Sequence, residues 1–327
     1  MITALVTGGT GFVGSHVARA LIARGYQVRI LRRSTSRLDL VADLACEHAV
    51  GDVSDYDSLL AAMQGVDWVF HVAAVADYWR NDPERIYAVN VDGTRNVLRA
   101  AEASGVRRVI FTSSAAAVGY RDDLGAVDES VRFNWDPRLT PYGHSKFLAE
   151  AEVYRAIQRG LDCVILSPTV IIGPGDLNQI SSSVVLEMAY GHVPPTVPPG
   201  GVTVIDVRDV AAAHVAAAER GRTGERYLLG TVDLTHKAWL RLTAHAVGRR
   251  MGAFPLPAWA VRIVAVAADV LRRLGVSIPI EGNQLRLSTR MMFYNCQKAW
   301  RELGEPQVPI HQSLRDTYAW YKSHGEL

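Results

Sequence analysis

The amino-acid sequence predicts an α/β protein: a doubly wound parallel sheet covered by helices, followed by a smaller, mostly helical C-terminal lobe. Three observations carry this expectation. Short β-branched apolar runs alternate with helical runs through the first half of the chain. A glycine-rich turn joins the first strand pattern to the first helix pattern. After Ser167 the alternation stops, and loop-forming Pro and Gly stretches follow at residues 173–175 and 194–201. Strands are expected at residues 2–7, 27–31, 67–72, 108–112 and 162–166, and helices at 15–25, 56–64, 94–104 and 145–159. A last strand–helix unit, residues 202–218, is expected to return to the sheet. From about Leu229 the chain reads as helical and rich in aromatics, with no internal repeat. Such alternation implies parallel strands joined by crossover helices, whose ligands bind beyond the carboxyl ends of the strands.

The turn at residues 8–14 reads Gly-Gly-Thr-Gly-Phe-Val-Gly, between a buried strand pattern and an amphipathic helix. Free amides at a helix N-terminus attract an anion, and a Cβ there would block close approach of a pyrophosphate. The turn therefore predicts a dinucleotide site that includes Gly8, Thr10, Gly11, Phe12, Val13 and Gly14. The second strand then ends in Arg32 and Arg33, where an NAD site usually carries an acidic residue. Two guanidiniums can grip a 2′-phosphate through forked bonds, so NADP(H) is expected, with NAD(H) as the alternative. Asp52 and Val53 follow the next strand and are expected beside the adenine. Residues 1–167 with about 202–228 would form this dinucleotide-binding domain. Residues 168–201 with about 229–327 would form a substrate lobe.

Tyr142 and Lys146 stand four apart where a helix is expected to begin, which places them on one helical face. An ammonium beside a phenol favours the phenolate and would lower the tyrosine toward neutral pH, where it can exchange a proton with a substrate oxygen. Composition suits a globular enzyme: 327 residues, 49% hydrophobic, 21% charged and a net charge of +2, too even a balance to argue for nucleic acid. Cys46, Cys163 and Cys296 share no metal-type spacing, and their odd number argues for reduced thiols in the cytoplasm. No metal site is expected. Ile2 already belongs to a strand, so no signal peptide is expected. The apolar stretch 258–274 is interrupted by arginines and an aspartate. It is expected to pack on the lobe or at a dimer contact, with no membrane partner.

Several motifs occur in one order: TGGTGFVG at 7–14, Gly51-Asp52-Val53, His71-Val72-Ala73-Ala74, Asn90-Val-Asp-Gly-Thr94, Phe111-Thr112-Ser113-Ser114, Tyr142-x-x-x-Lys146, Pro168 with Gly173-Pro174, and Asp206-Val-Arg-Asp-Val210. In these the chain resembles the extended short-chain dehydrogenase/reductase family, the NAD-dependent epimerase/dehydratase superfamily, over nearly its whole length. The resemblance implies an NAD(P)-dependent oxidoreductase. It implies that Ser114 holds the substrate oxygen, with Ser113 as the fallback, that Tyr142 exchanges the proton, and that Lys146 tunes Tyr142 and binds the nicotinamide ribose. It also implies that Val72, Ala73, Ala74, Asn90, Thr112 and Pro168 lie along the cofactor. Family members often pair, so a homodimer is expected to be compatible with this chain.

Within that family the sequence is most similar to the dihydroflavonol-reductase-like and hydroxysteroid-dehydrogenase-like branch, which implies a carbonyl or alcohol on a bulky apolar molecule. Arg32-Arg33 and the closing pattern Lys298-Ala-x-x-Glu-Leu-Gly304 carry that similarity. Tyr78, Trp79, Trp135, Phe254 and Phe293 are candidates to line an apolar pocket. The alternative is a nucleotide-sugar epimerase or dehydratase. Its diphosphate-gripping arginine is missing, since Val202 or Thr203 stands in its place, although Arg286 and Arg290 could substitute. His71 and His144 are expected to pack rather than to ligate. A hydrolase is disfavoured because no serine lies in a G-x-S-x-G elbow. A non-catalytic NADP sensor is a remote alternative, given that Ser114, Tyr142 and Lys146 are all kept.

Overall fold

The computed structural model describes residues 1–76, 81–121, 125–252, 254–274 and 282–327. The first half runs β1 (Thr3–Thr7), α1 (Phe12–Ala23), β2 (Gln27–Arg32), β3 (Glu47–Val50), α2 (Tyr56–Ala62), β4 (Trp68–His71), α3 (Pro83–Tyr87), α4 (Gly93–Ala103), β5 (Arg108–Thr112), α5 (Pro141–Gln158) and β6 (Cys163–Pro168). Then come β7 (Val170–Ile172), α6 (Ser183–Tyr190), β8 (Thr196–Val197), β9 (Gly201–Asp206), α7 (Val207–Arg220) and β10 (Arg226–Leu229). The chain closes with β11 (Val232–Thr235), α8 (His236–Ala246), β12 (Phe254–Pro255), α9 (Ala258–Arg273), α10 (Gly282–Leu287), β13 (Met291–Met292), α11 (Gln297–Leu303) and α12 (Ile310–Ser323).

Seven strands form the main sheet in the order β10-β6-β5-β4-β1-β2-β3, all parallel, which is the doubly wound (Rossmann) arrangement. Side chains alternate across it because strand residues point to opposite faces in turn. Ala4 and Val6 of β1 pack with Val17 and Leu21 of α1 and Val210 of α7. Leu5 packs with Leu59 of α2, Val97 of α4 and Val153 of α5. Both faces are thus covered, and a fully buried side chain such as Leu5 contributes roughly 1.5–3 kcal/mol. A third core, with Trp239, Leu314 and Tyr321, holds the lobe together.

The expected strands and helices of the first half are all present, with ends shifted by a few residues; α5 begins at Pro141 rather than near Ser145. One expectation fails. The strand at residues 202–206 does not return to the main sheet. As β9 it pairs with β7, β11 and β13 in a second sheet, while β10 takes the place beside β6. Both segments are apolar and buried, so hydropathy could not choose between them. The choice is made by α7, which returns the chain against α1 and delivers β10 to the sheet edge.

Candidate active site

A cavity of about 960 Å³ lies beyond the carboxyl ends of β1, β2, β4, β5 and β6. Its floor is the glycine turn. Gly8 has φ +68°, and a Cβ on it would come within 2.7 Å of the Ala73 amide nitrogen. A Cβ on Gly14 would overlap the Gly8 carbonyl oxygen, so both positions must remain glycine for the loop to pack. Gly11 caps α1 with no side-chain hydrogen bond, leaving the first amides of the helix to the cavity. These are the requirements of a pyrophosphate cradle.

Arg32 and Arg33 both line the cavity at the end of β2. The Arg32 Nε is buried and finds no partner among the described residues. A buried guanidinium N–H without an acceptor is costly, and an anionic oxygen placed there would satisfy it. Asp52 lies beside them, just after the neighbouring strand β3. Burial raises its carboxyl, but the Ser54 N–H and hydroxyl, at 2.9 and 2.7 Å, and the Arg33 charge bring it below its ordinary value. Val53, Val72, Ala73, Ala74, Thr10, Phe12, Val13, Thr112 and Pro168 also line the cavity.

Asn90 does not. It is 1% exposed, accepts from the Val75 amide at 2.8 Å, and donates to the Val75 carbonyl at 3.0 Å and to Ser145 Oγ at 2.9 Å. Its side chain clips the segment after β4 to the first turns of α5. A π-helical turn at Ala88–Asp92 aims it there, a distortion that sequence periodicity does not register. His71 is likewise structural. Its ring bonds Thr7 Oγ1 at 2.8 Å and Thr94 Oγ1 at 2.9 Å, and burial lowers it to about 3, so it stays neutral. His144 bonds the Tyr87 hydroxyl at 2.9 Å and packs beside the stacked pair Phe133 and Phe147.

Ser114, Tyr142 and Lys146 meet at the inner end of the cavity. Tyr142 stands in the first turn of α5, directly after Pro141, whose fixed φ suits that position. The Ser114 hydroxyl accepts from the Ala116 amide at 3.1 Å and donates to the Tyr142 phenol. Ser113 is engaged elsewhere, donating to the Glu150 carboxylate. Lys146 Nζ donates to the Thr112 carbonyl at 2.8 Å and sits 5.1 Å from the Phe111 ring centre.

The electrostatics differ from the sequence expectation. Burial raises the Tyr142 phenol above its ordinary value, and the Ser114 hydrogen bond offsets only part of this. Burial, not the lysine, sets the direction for the phenol, and the ammonium donates one of its hydrogens to the Thr112 carbonyl. It is Lys146 that moves toward neutrality: burial lowers it to about 8, against the opposing charge of Glu150. Glu150 was not singled out in the sequence. It is 1% exposed, one turn beyond Lys146, and pairs with Arg226 of β10. Its spacing to Lys146 was a usable signal. Burial raises its carboxyl, with Arg226 the largest opposing influence.

The outer wall is mixed: Val170, Ile171, Leu177, Ile180, Val202, Met292 and Tyr294 line it together with Thr169, Asp176, Asn178, Ser181 and Thr203. Of the aromatics expected in such a wall, Tyr78 and Trp79 lie outside the described residues. Trp135 packs instead on Tyr120, with Arg290 above both rings. Phe254 is 66% exposed in the short edge strand β12, and Phe293 lies against Gly201. None of these three lines the cavity.

A nucleotide-binding sheet with this constellation at its carboxyl edge defines a class of pyridine-nucleotide oxidoreductase. Residues 4–230 match the NAD dependent epimerase/dehydratase family. The chain belongs to that family, as an extended short-chain dehydrogenase/reductase, and is an NAD(P)-dependent oxidoreductase. It is 39% identical to a Synechocystis sp. protein named for dihydroflavonol 4-reductase, over 98% of this chain and 94% of that one. It is 32% identical to sterol demethylase protein B of Methylococcus capsulatus, over the whole of both chains. The crystal structure of gox2253 superposes with a TM-score of 0.88 at 36% identity, over the whole of both chains.

Proposed function

We propose that the protein is an NADP(H)-dependent ketone reductase acting on a carbonyl, or the corresponding secondary alcohol, of a bulky and largely apolar molecule. The observation that carries this is the composition of the outer wall. Val202 and Thr203 line the cavity where a diphosphate-gripping arginine would be expected. Neither substitute is available: Arg286 is paired with Asp269 and Asn283, and Arg290 lies over Tyr120 and Trp135, both outside the cavity lining. The apolar part of that wall, Val170, Ile171, Ile180, Val202 and Met292, would suit an apolar substrate, with polar groups beside it to orient one. The names of the dihydroflavonol-reductase and sterol-demethylase relatives point the same way. Residues 168–201 and those from about 229 onward would form the substrate lobe.

The cofactor would be held by the amides of residues 8–14, by Arg32 and Arg33 at a 2′-phosphate, and by Lys146 at the nicotinamide ribose. An ammonium has three donors, of which Thr112 takes one. When bound, the nicotinamide supplies or accepts the hydride. Ser114 then holds the substrate oxygen, and Tyr142 donates the proton to it as negative charge develops. A phenol kept protonated by burial is the correct acid for that direction. Lys146, still mostly charged at neutral pH, adds a positive field beside the reacting oxygen.

A nucleotide-sugar epimerase is the second reading, and Arg85 at the cavity's edge is the observation in its favour. Steady consumption of NADPH with ketosteroids or dihydroflavonols, and none with UDP-sugars, would support the reductase. Interconversion of UDP-sugars with no net loss of NADPH would refute it.

A further inference from the structure

We propose that α9 seats the protein on an anionic membrane surface, lying in the plane of the interface. The helix buries only one narrow face. Val261, Ala265 and Ala268 are at most 4% exposed and pack toward α10. Gly282 permits the close approach, since a Cβ on it would collide with Asp269 and the Ala265 carbonyl. The remaining surface is apolar and open: Trp259 is 67% exposed, Ile263 61%, Val266 54% and Val270 48%. These four follow one another at steps of four, three and four residues and form a stripe, which Leu274, 74% exposed, extends. Val264, Ala267 and Leu271 widen it to an arc of roughly 160° at 100° per residue. Scattered exposed apolar residues are normal, but a continuous helical face is not.

The margins of this face say what covers it. Arg262 is exposed beside the stripe, and Arg249 and Arg250 are exposed just before the helix, close in sequence to the exposed Phe254. Asp269, the only acid in α9, is paired with Arg286. A second copy of the same face would add apolar surface and another Arg262 but no carboxylate for it, since the one acid of the helix is already paired. Anionic lipid headgroups complement those arginines while the apolar arc and Trp259 enter the acyl boundary. No helix among the described residues is long and apolar enough to cross a membrane, so the attachment is to one surface. The sequence suggested packing on the lobe or at a dimer contact with no membrane partner; the helix does meet α10 through one face, and the exposed face is what motivates the membrane proposal. Continuity with the cavity adds a use for the contact. From α10 the chain hydrogen-bonds through the Ser288 and Arg290 carbonyls to Gly200 and Gly201, at 3.1 Å each, and enters β13, whose Met292 lines the cavity wall.

The test is flotation of the full-length protein with vesicles of phosphatidylcholine alone and of phosphatidylcholine mixed with phosphatidylglycerol. It reads binding and not turnover, so its outcome is independent of the substrate proposed above. Wild type is expected to float with the anionic vesicles and much less with the neutral ones. Ile263→Glu and Trp259→Glu, both at exposed positions, should weaken binding at least about tenfold with an unchanged melting temperature. Arg262→Ala should weaken it about fivefold, and added salt should do the same. Absence of flotation with both vesicles, or equal flotation of wild type and Ile263→Glu, overturns the proposal. So does a concentration-dependent dimer that Ile263→Glu abolishes without any vesicle binding, which would assign the face to a second copy.

Discussion

Replacing Glu150 with Gln should move the alkaline limb of activity to lower pH. Glu150 is buried one helical turn from Lys146 and is the group that opposes the lowering of the lysine by burial. With a value of about 8, Lys146 is roughly nine-tenths charged at pH 7. Opposite charges ~6 Å apart, the spacing of i and i+4 side chains, attract by about 3 kcal/mol at an effective dielectric of ~20. That ceiling corresponds to about two pH units, and Arg226, which shares the carboxylate, reduces it to about one. Gln offers one acceptor where the carboxylate offers two, so either Ser113 or Arg226 loses its partner; the variant should melt at a lower temperature, and the assay is read where it remains folded. The assay is kcat/KM for NADPH oxidation from pH 6 to 10, with circular dichroism to confirm folding. The limb near pH 8 should shift acidward by about one unit in the variant, and activity at pH 7 should fall by roughly twofold, in step with the charged fraction of Lys146. A folded variant with an unmoved limb would show that Glu150 does not set the charge on Lys146. A limb that stays in place in Lys146→Arg, whose guanidinium does not titrate, would show that Lys146 is not the titrating group at all.

Two further outcomes follow from the cofactor cradle. Arg32→Asp combined with Arg33→Asn should lower the ratio of kcat/KM for NADPH over NADH by about tenfold or more, as charge-assisted bonds are worth roughly 1.5–3 kcal/mol each; an unmoved ratio would remove the arginines from phosphate binding. Gly14→Ala forces a methyl onto the Gly8 carbonyl, so fluorescence titration should find cofactor binding greatly weakened and thermal melting should fall by ~1–3 kcal/mol of stability; full cofactor affinity in this variant would mean the turn does not hold the pyrophosphate.

The parts of the site that were legible in the sequence are those fixed by local spacing. The glycine turn is read from one strand–turn–helix segment, and Tyr142 and Lys146 fall on one face simply because they are four residues apart. What the sequence could not supply depends on distant partners. Nothing local distinguishes β9 from β10 as the neighbour of β6, since both are apolar and the return path of α7 decides. Spacing suggests a pairing of Lys146 with the Tyr142 phenol, whereas burial, a tertiary property no local pattern records, raises the phenol and lowers the lysine. Glu150 drew no reading from the sequence; it is its burial and its contact with Arg226 of β10 that mark it out. Asn90 was recognised by its motif, yet a π-helical turn directs it to Val75 and Ser145 and away from the cavity. For α9, amphipathicity was visible, whereas which side of the helix met the lobe was not.

The central claim is that a buried, protonated phenol delivers the proton to the substrate oxygen, and Tyr142→Phe addresses it directly. The ring and its packing are retained, and only the hydroxyl bonded to Ser114 is lost. Single-turnover oxidation of bound NADPH by a ketone substrate should slow by two to four orders of magnitude, roughly the worth of a positioned general acid, while the Kd for NADPH stays at its wild-type value. Oxidation at near wild-type rate in a folded Tyr142→Phe protein would contradict the account.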